Sequence, residues 1–342
     1  MSDRSFDNLL KCVAAGEKLD AEASALAFEA IMSGGVSEIR IAAFLTALAV
    51  REPSENEILG AARAMRGAMR SIQAPVNAVD LCGTGGDGHG TLNVSTATSF
   101  VVAGCGVPVA KHGNRNMSSR SGAADVLEAL NVRIDLSPEA AEACLAEIGL
   151  SFLFAPNFHP AMKHVAAVRR ELGFRTVFNL LGPICNPARI TRQLLGVYSA
   201  RWLRPLAGVL RGLGTEKAWV VHGADGLDEM TTTTVTNVCA LAGETVRQFD
   251  VEPEELGIAR VPLEKLKGGT ASDNANAIRE LLAGAKGPFR DIVLLNAAAA
   301  LVVADKVDGL QAGIGLAGDA IDSGAAGAVL TRLALVTQKL AA

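Results

Sequence analysis

Two polar, glycine-bearing turns carry the strongest chemical signal in the chain. Asp80-Leu81-Cys82-Gly83-Thr84-Gly85-Gly86-Asp87 ends one short apolar stretch, and 24 residues after Asp87 Lys111-His112-Gly113-Asn114-Arg115 ends another. Each is followed by a helical pattern, and junctions of this kind present backbone N–H groups to an anion. The pair therefore predicts one phosphorylated ligand held by two adjacent strand ends. Asn93-Val94-Ser95-Thr96 reads as a helix start, with Asn93 as cap and the hydroxyls of Ser95 and Thr96 in the first turn. Capping alone is the plainer alternative. Ser118 and Ser119 read as opening a second helix in the same way and Asn131 as closing it, so that two helix N-termini point at one ligand.

Asp228 and Glu229 follow an apolar stretch and the turn Gly223-Ala224-Asp225-Gly226. In a loop both carboxylates can converge on a hard cation, and Mg²⁺ is usually held by one or two carboxylates plus phosphate oxygens. A solvated acidic turn is the competing reading. Arg169 and Arg170 lie on a helical pattern with Lys163 and His164 one or two turns earlier. Such a run is either a solvated face or, if one arginine enters a cleft, a fork of donors suited to a substrate carboxylate. The histidines lack metal-ligand spacing, and His112 and His222 are candidates only by position.

The string Gly83-Thr84-Gly85-Gly86-Asp87-Gly88 also fits the dinucleotide pattern GxGxxG. Its context does not: the helix starts only near Val94, and the second strand runs into Lys111 where an acidic ribose ligand belongs. A net charge of −4 (32 Lys and Arg against 36 Asp and Glu) argues against non-specific nucleic-acid binding. The six cysteines form no CxxC pair and read as reduced, small apolar residues. Asp3, Arg4 and Asp7 stand where an export signal needs a basic and then an apolar stretch, which leads to the expectation of a cytoplasmic protein.

These groups need a scaffold, and the pattern supplies one. From Ser5 to about Ser71 the periodicity is helical, with Phe6, Leu9, Leu10 and Val13, then Ile41, Phe44, Leu45 and Leu48, each on one face. Beyond Pro75 strands and helices alternate: strands at Ala78–Leu81, Val107–Ala110, Ser151–Ala155, Gln193–Tyr198 and Ala218–His222, helices at about Val94–Cys105, Gly122–Leu130 and Ala161–Leu172. Asp291–Leu295 reads as a strand or as part of a buried helix, and Val235–Phe249 as a hairpin around Gly243. The expected class is α/β: a small all-helical N-terminal domain, residues 1–72, and a large α/β domain, residues 73–342, with a mostly parallel central sheet flanked by helices. The segment Phe158–Pro187 interrupts the alternation and could return to the helical domain.

The strings GTGGD, TLNVST, KHGNRNMSSRSGAADVLEAL, FAPNFHPAMKHVAAVRRELGFRTVFNLLGP and VVHGADGLDEM, with the tail RDIVLLNAAAAL to AIDSGAA, closely resemble the anthranilate phosphoribosyltransferase family in the same order over nearly the whole chain. The resemblance implies a helical domain completed by residues near 170–190, an active site in the cleft between the domains, and a homodimer formed through the helical domains. It places phosphoribosyl pyrophosphate (PRPP) on Gly83, Gly86, Asp87, Thr91, Asn93, Val94, Ser95, Thr96, Lys111, His112, Gly113, Asn114, Arg115, Ser118, Ser119 and Ala123. It gives Mg²⁺ to Ser95, Asp228 and Glu229, and anthranilate to Gly83, Asn114 and Arg169. The implied reaction moves the 5-phosphoribosyl group from PRPP to the amine of anthranilate, in tryptophan biosynthesis. Lys111 would act electrostatically, and no residue stands out as a general base. The chain departs from the family at Leu92, Ala123 and Ala167, where Phe, Ser and Pro are commoner, and only Ala123 touches the implied site. Two rivals share the architecture: a pyrimidine nucleoside phosphorylase, whose Lys-His pair precedes its phosphate loop, and a non-catalytic nucleic-acid binder.

Overall fold

The computed structural model describes residues 4–115 and 121–340. Four helices come first: α1 (Phe6–Ala14), α2 (Ala21–Met32), α3 (Glu38–Arg51) and α4 (Glu55–Ala68). Side-chain caps start α2 and α4. Asp20 accepts from the Ala23 N–H, and Ser54 and Glu57 form a reciprocal capping box at the start of α4. Phe28, Phe44, Ile31, Ile41 and Leu45 are fully buried between these helices.

The α/β part follows in the order β1 (Val79–Gly83), α5 (Val94–Gly104), β2 (Val109–Gly113), α6 (Ala123–Ala129), α7 (Pro138–Ile148), β3 (Leu150–Phe154), α8 (Ala155–Phe158), α9 (Lys163–Leu172), α10 (Phe178–Ile184), β4 (Arg192–Gly196), α11 (Leu203–Gly212), β5 (Lys217–Gly223), β6 (Thr236–Ala242), β7 (Thr245–Val251), α12 (Ala271–Leu282), α13 (Pro288–Val303), α14 (Leu310–Asp322) and α15 (Ala325–Leu340). The seven strands form one sheet in the order β3-β2-β1-β4-β5-β6-β7, parallel from β3 to β5 and antiparallel beyond. Chain order runs outward in both directions from the β1/β4 pair. That makes it the topological switch point, where the loops after the two strands part and leave a crevice at their carboxyl ends.

Side chains alternate across the sheet. Leu194, Trp219, Val221, Val238 and Ala240 join the core beneath α5, α12 and α13. Leu195, Val197, Ala218, Val220, Cys239 and Leu241 join α11 and the N-terminal helices in a second core. Val165, Val168, Phe178, Leu180 and Leu181 of α9 and α10 pack in that second core, so the chain does return to the helical layer after β3.

The structure corrects the reading at the second strand and settles it elsewhere. β2 begins at Val109 rather than Val107 and extends through Lys111, His112 and Gly113, because parallel pairing with β3 continues to Gly113 opposite Phe154. Residues 291–295 are helical: α13 is buried on nearly all sides, which removes the periodicity that would distinguish it from a strand. The hairpin around Gly243 is β6 and β7. No single helix among the described residues is long and apolar enough to cross a membrane.

Candidate active site

β1 and β4 pair with Gly83 opposite Gly196. The lack of side chains there leaves room for the 228–229 segment. A Cβ on Gly83 would lie 2.2 Å from Asp228 Oδ2, and one on Gly196 only 1.6 Å from the Asp228 carbonyl oxygen. After β1 the chain turns with Gly85 and Gly86 at φ of 67° and 74°, a left-handed conformation that glycine adopts without cost. Asp228 Oδ2 accepts the Gly85 N–H at 2.6 Å, and Glu229 Oε1 accepts the Ser95 N–H at 3.2 Å. The acidic pair is thus drawn over the glycine loop and the N-terminus of α5.

Burial first, and then repulsion from Asp87, pushes the Asp228 carboxyl well above its ordinary range. Glu229 is pushed up by burial and by Asp228, against the opposing pull of Lys111. Lys111 is 3% exposed and comes from the neighbouring strand β2; its Nζ donates to the Leu81 carbonyl at 2.6 Å and to Ser95 Oγ at 3.2 Å. Asp80, fully buried, is also raised by desolvation and eased by Lys111. Asp80 and Glu229 share the Lys111 ammonium, while Asp87 and Asp228 crowd beside Glu229, a surplus of carboxyls over cations that a divalent ion would neutralise. Among the described residues no three His, Cys, Asp or Glu side chains meet in metal-binding geometry. A cation here would have to complete its shell with hydroxyl, phosphate or water oxygens, as Mg²⁺ ordinarily does.

The second turn is less uniform. Lys111 faces α5, whereas His112, next along the strand, faces α10: its Nδ1 lies 3.1 Å from the Gly182 carbonyl and its Nε2 3.2 Å from His159 Nε2. Burial lowers the two imidazoles to about 3 and about 4, with His159 adding to the shift of His112. Both rings are neutral near pH 7, and the His112 ring is occupied by these partners rather than turned to the glycine loop. Gly113 packs on Phe152, which a Cβ would meet at 2.7 Å. Asn114 accepts the Arg115 N–H at 2.8 Å. Arg115 pairs with Asp125 and Glu128 and lies over Phe154, so its guanidinium is turned to α6.

Ala123 is the first residue of α6, whose cap is Gly122; Ser118 and Ser119 fall outside the described residues. Asn131 does close α6, at φ 65°. Asn93 makes no side-chain cap on α5. Its Oδ1 instead accepts from Asn274 Nδ2 at 2.7 Å, while Asn274 also donates to Ser121 Oγ at 2.9 Å and accepts the Gly269 N–H at 2.8 Å. Thr91 bridges to Lys267 beside it. Val94 and Thr96 are buried, and Thr96 Oγ1 has no hydrogen-bond partner among the described residues.

Arg169 lies over the Phe178 ring at 5.3 Å and makes no ion pair among the described residues; burial lowers its pKa. Arg170 is exposed. His222 Nδ1 lies 2.7 Å from the Val197 carbonyl. Asn274, His159 and Arg175 were missed as site-forming residues in the sequence reading. Asn274 has no motif signal, His159 is marked only by the following Pro160, and Arg175 is one arginine among several in its segment.

A topological switch point, a glycine loop and a buried acidic pair make the arrangement of an α/β protein whose strand ends suit an anionic ligand. The helical bundle domain of the glycosyl transferase family matches residues 7–69, and the a/b domain of the same family matches residues 75–327. An anthranilate phosphoribosyltransferase from Rhodopseudomonas palustris (strain HaA2) is 52% identical over 332 residues, covering 97% of this chain and 98% of that protein. The crystal structure of the enzyme of that name from Thermus thermophilus superposes with a TM-score of 0.92 at 44% identity, over 96% of this chain and 99% of that one. The Saccharomyces cerevisiae anthranilate phosphoribosyltransferase in complex with PRPP and Mg superposes with a TM-score of 0.90 at 28% identity, over 99% of each chain. The chain belongs to the anthranilate phosphoribosyltransferase family.

Proposed function

We propose that this protein transfers the 5-phosphoribosyl group of PRPP to the amine of anthranilate, releasing pyrophosphate, in tryptophan biosynthesis. The observation that carries this reading is the convergence of Asp228, Glu229 and Lys111 on the glycine loop and the α5 N-terminus at the β1/β4 switch point. The carboxyl surplus there fits Mg²⁺, with Ser95, Asp228 and Glu229 as its protein ligands. When bound, Mg²⁺ supplies neutralisation of the pyrophosphate charge.

The chain's own groups account for the rest. PRPP lies against Gly83, Gly86, Asp87, Thr91 and Asn93–Thr96, with Lys111 close by. Breaking the C1–oxygen bond sends its electron pair to pyrophosphate and leaves positive charge on the ribose ring. The α5 N-terminal amides and the Lys111 ammonium stabilise the departing anion. The aromatic amine is already unprotonated near neutrality, so it needs orientation more than a base. Arg169, over the Phe178 ring with its fork unpaired by any carboxylate among the described residues, is suited to clamp the anthranilate carboxylate, beside Gly83 and Asn114. The new C–N bond forms at C1, and the amine proton is released to solvent or pyrophosphate.

The helical domain is read as residues 1–72 completed by about 170–190, and the α/β domain as 73–342; the two family matches and the shared core of α9 and α10 with the N-terminal helices support this division. A homodimer through the helical domains, exposed Ile39 and Val50 of α3 among its candidate surfaces, and a cytoplasmic setting complete the reading. The direct test mixes protein, Mg²⁺, PRPP and anthranilate and follows anthranilate fluorescence. A PRPP-dependent decay is expected, and a constant signal with folded protein would overturn the proposal.

A further inference from the structure

Three successive residues of the glycine loop are held by three different parts of the molecule. Thr84 is tied to the sheet: its N–H donates to the Gly196 carbonyl at 2.9 Å and its Oγ1 accepts the Tyr198 N–H at 3.0 Å. Gly85 N–H is taken by Asp228. The Gly86 carbonyl accepts from Arg175 Nη2. Arg175 stands in the connector between α9 and α10, just after Gly173 ends α9 at φ 67°. That connector joins the two helices that pack among the N-terminal helices, and α9 carries Arg169.

The Arg175 guanidinium is also fixed from below. It lies 4.1 Å over the Tyr198 ring, and the Tyr198 hydroxyl accepts from Trp202 Nε1 at 2.9 Å. Gly86 comes so close that a Cβ there would stand 3.2 Å from Arg175 Nε and Nη2. Tyr198 thus serves both anchors, holding Thr84 through its N–H and Arg175 through its ring.

We propose that Arg175, seated on Tyr198, is a positioning residue that selects the orientation of the Gly86–Asp87 peptide and links the glycine loop to the α9–α10 connector. The reasoning is stereochemical. A glycine at positive φ allows its peptide to turn over at little cost. In a trans peptide the carbonyl and the next N–H point in opposite directions, so drawing the Gly86 oxygen onto Arg175 aims the Asp87 N–H away from the connector. A flat, stacked guanidinium fixes that choice better than a mobile ammonium. The inference deepens the PRPP reading and rests on it, since Asp87 and Gly86 are the loop residues assigned to PRPP.

The test is calorimetric titration with PRPP and Mg²⁺ of the full-length wild type, Arg175→Ala, Arg175→Lys, Tyr198→Leu and Arg175→Ala/Tyr198→Leu. Arg175→Ala should weaken PRPP binding about tenfold, the worth of one charge-assisted hydrogen bond. Arg175→Lys should recover part of the loss, because it keeps a charged donor without the flat stack. Tyr198→Leu should reproduce the Arg175→Ala loss, and the double variant should bind no worse than either single one, the mark of two residues acting as a unit. Melting temperature checks that Arg175→Ala, at an exposed position, remains folded. Wild-type affinity in Arg175→Ala, or losses that add in the double variant, would overturn the inference. Wild-type protein that does not bind PRPP at all would instead defeat the functional reading on which it stands.

Discussion

A single methyl group at position 83 tests how the acidic pair is held. Gly83 ends β1 without a positive φ, so alanine is acceptable to its backbone and leaves the pairing with Gly196 in place. Its Cβ, however, would lie 2.2 Å from Asp228 Oδ2 and 2.8 Å from Asp228 Cγ. The carboxylate must swing away and release the Gly85 N–H, now held at 2.6 Å. A displaced Asp228 serves neither the loop nor a cation. Losing one charged contact in the complex, taken as the about 1.5–3 kcal/mol of a hydrogen bond to a charged group, weakens binding on the order of 10- to 100-fold at about 1.4 kcal/mol per decade. Gly83→Ala should therefore raise the Kd for PRPP with Mg²⁺ by that factor, with a fall in the urea-unfolding midpoint smaller than that of Gly196→Ala. Gly196→Ala offers the contrast: its Cβ would meet the Asp228 backbone oxygen at 1.6 Å, which no side-chain rotation relieves, so that variant should lose stability as well. PRPP affinity of Gly83→Ala within twofold of wild type would refute the claim that Asp228 must occupy this place.

The raised carboxyls of Asp228 and Glu229 make the unliganded protein pH-sensitive. A carboxyl with a folded-state pKa above its unfolded value contributes stability that is complete below the unfolded pKa and is lost as pH rises through the folded one. Urea midpoints without ligand should thus fall between about pH 5 and about pH 9, and saturating Mg²⁺ and PRPP should offset the fall; a rise with pH would contradict the assignment. Arg169→Ala should raise the KM for anthranilate far more than that for PRPP, and equal effects in steady-state kinetics would exclude the clamp. Asn274→Leu takes the acceptor from the Gly269 N–H, at about 1–3 kcal/mol where that group stays buried, and removes the amide that holds Asn93 and Ser121 beside it. Its KM for PRPP should rise with little change in that for anthranilate, and an unchanged PRPP KM would show that Asn274 does not position the loop.

Much of this architecture was legible because local chemistry and topology agree. Glycines at the ends of β1 and β2, a polar helix start at Asn93 and an acidic pair after β5 mark strand ends that face one crevice, and those features need no long-range information. What stayed hidden depends on which side chains meet across the fold. Arg115 looks like a phosphate ligand in sequence, yet α6 places Glu128 and Asp125 within its reach. Asn93 looks like a cap, yet α12 brings up Asn274 from 181 residues away. His112 shares a string with Lys111, but adjacent residues of a strand face opposite sides, so one joins the carboxyl cluster and the other joins His159. The β2 boundary moved for a related reason, since a strand ends where its partner stops pairing.

The same register that closes the sheet also assembles the site. Gly83 opposite Gly196 puts two residues without side chains next to each other at the crevice, and into that gap the Asp228 backbone and carboxylate descend. A slip of one residue between β1 and β4 would bring Cys82 or Leu195 to the rim and turn every neighbouring side chain to the opposite face. The buried Asp80 helps prevent such a slip, because its oxygens take the His112 N–H from β2 and the Asn186 amide from the turn before β4. Asn186 in turn donates to the Ala110 carbonyl, which ties the approach to β4 back to β2. One desolvated carboxyl thus ties β1, β2 and the approach to β4 together beneath the rim that Gly83 and Gly196 form. The cost of burying Asp80 is offset by a geometry in which the glycine loop, Lys111 and the acidic pair cannot be placed independently of one another.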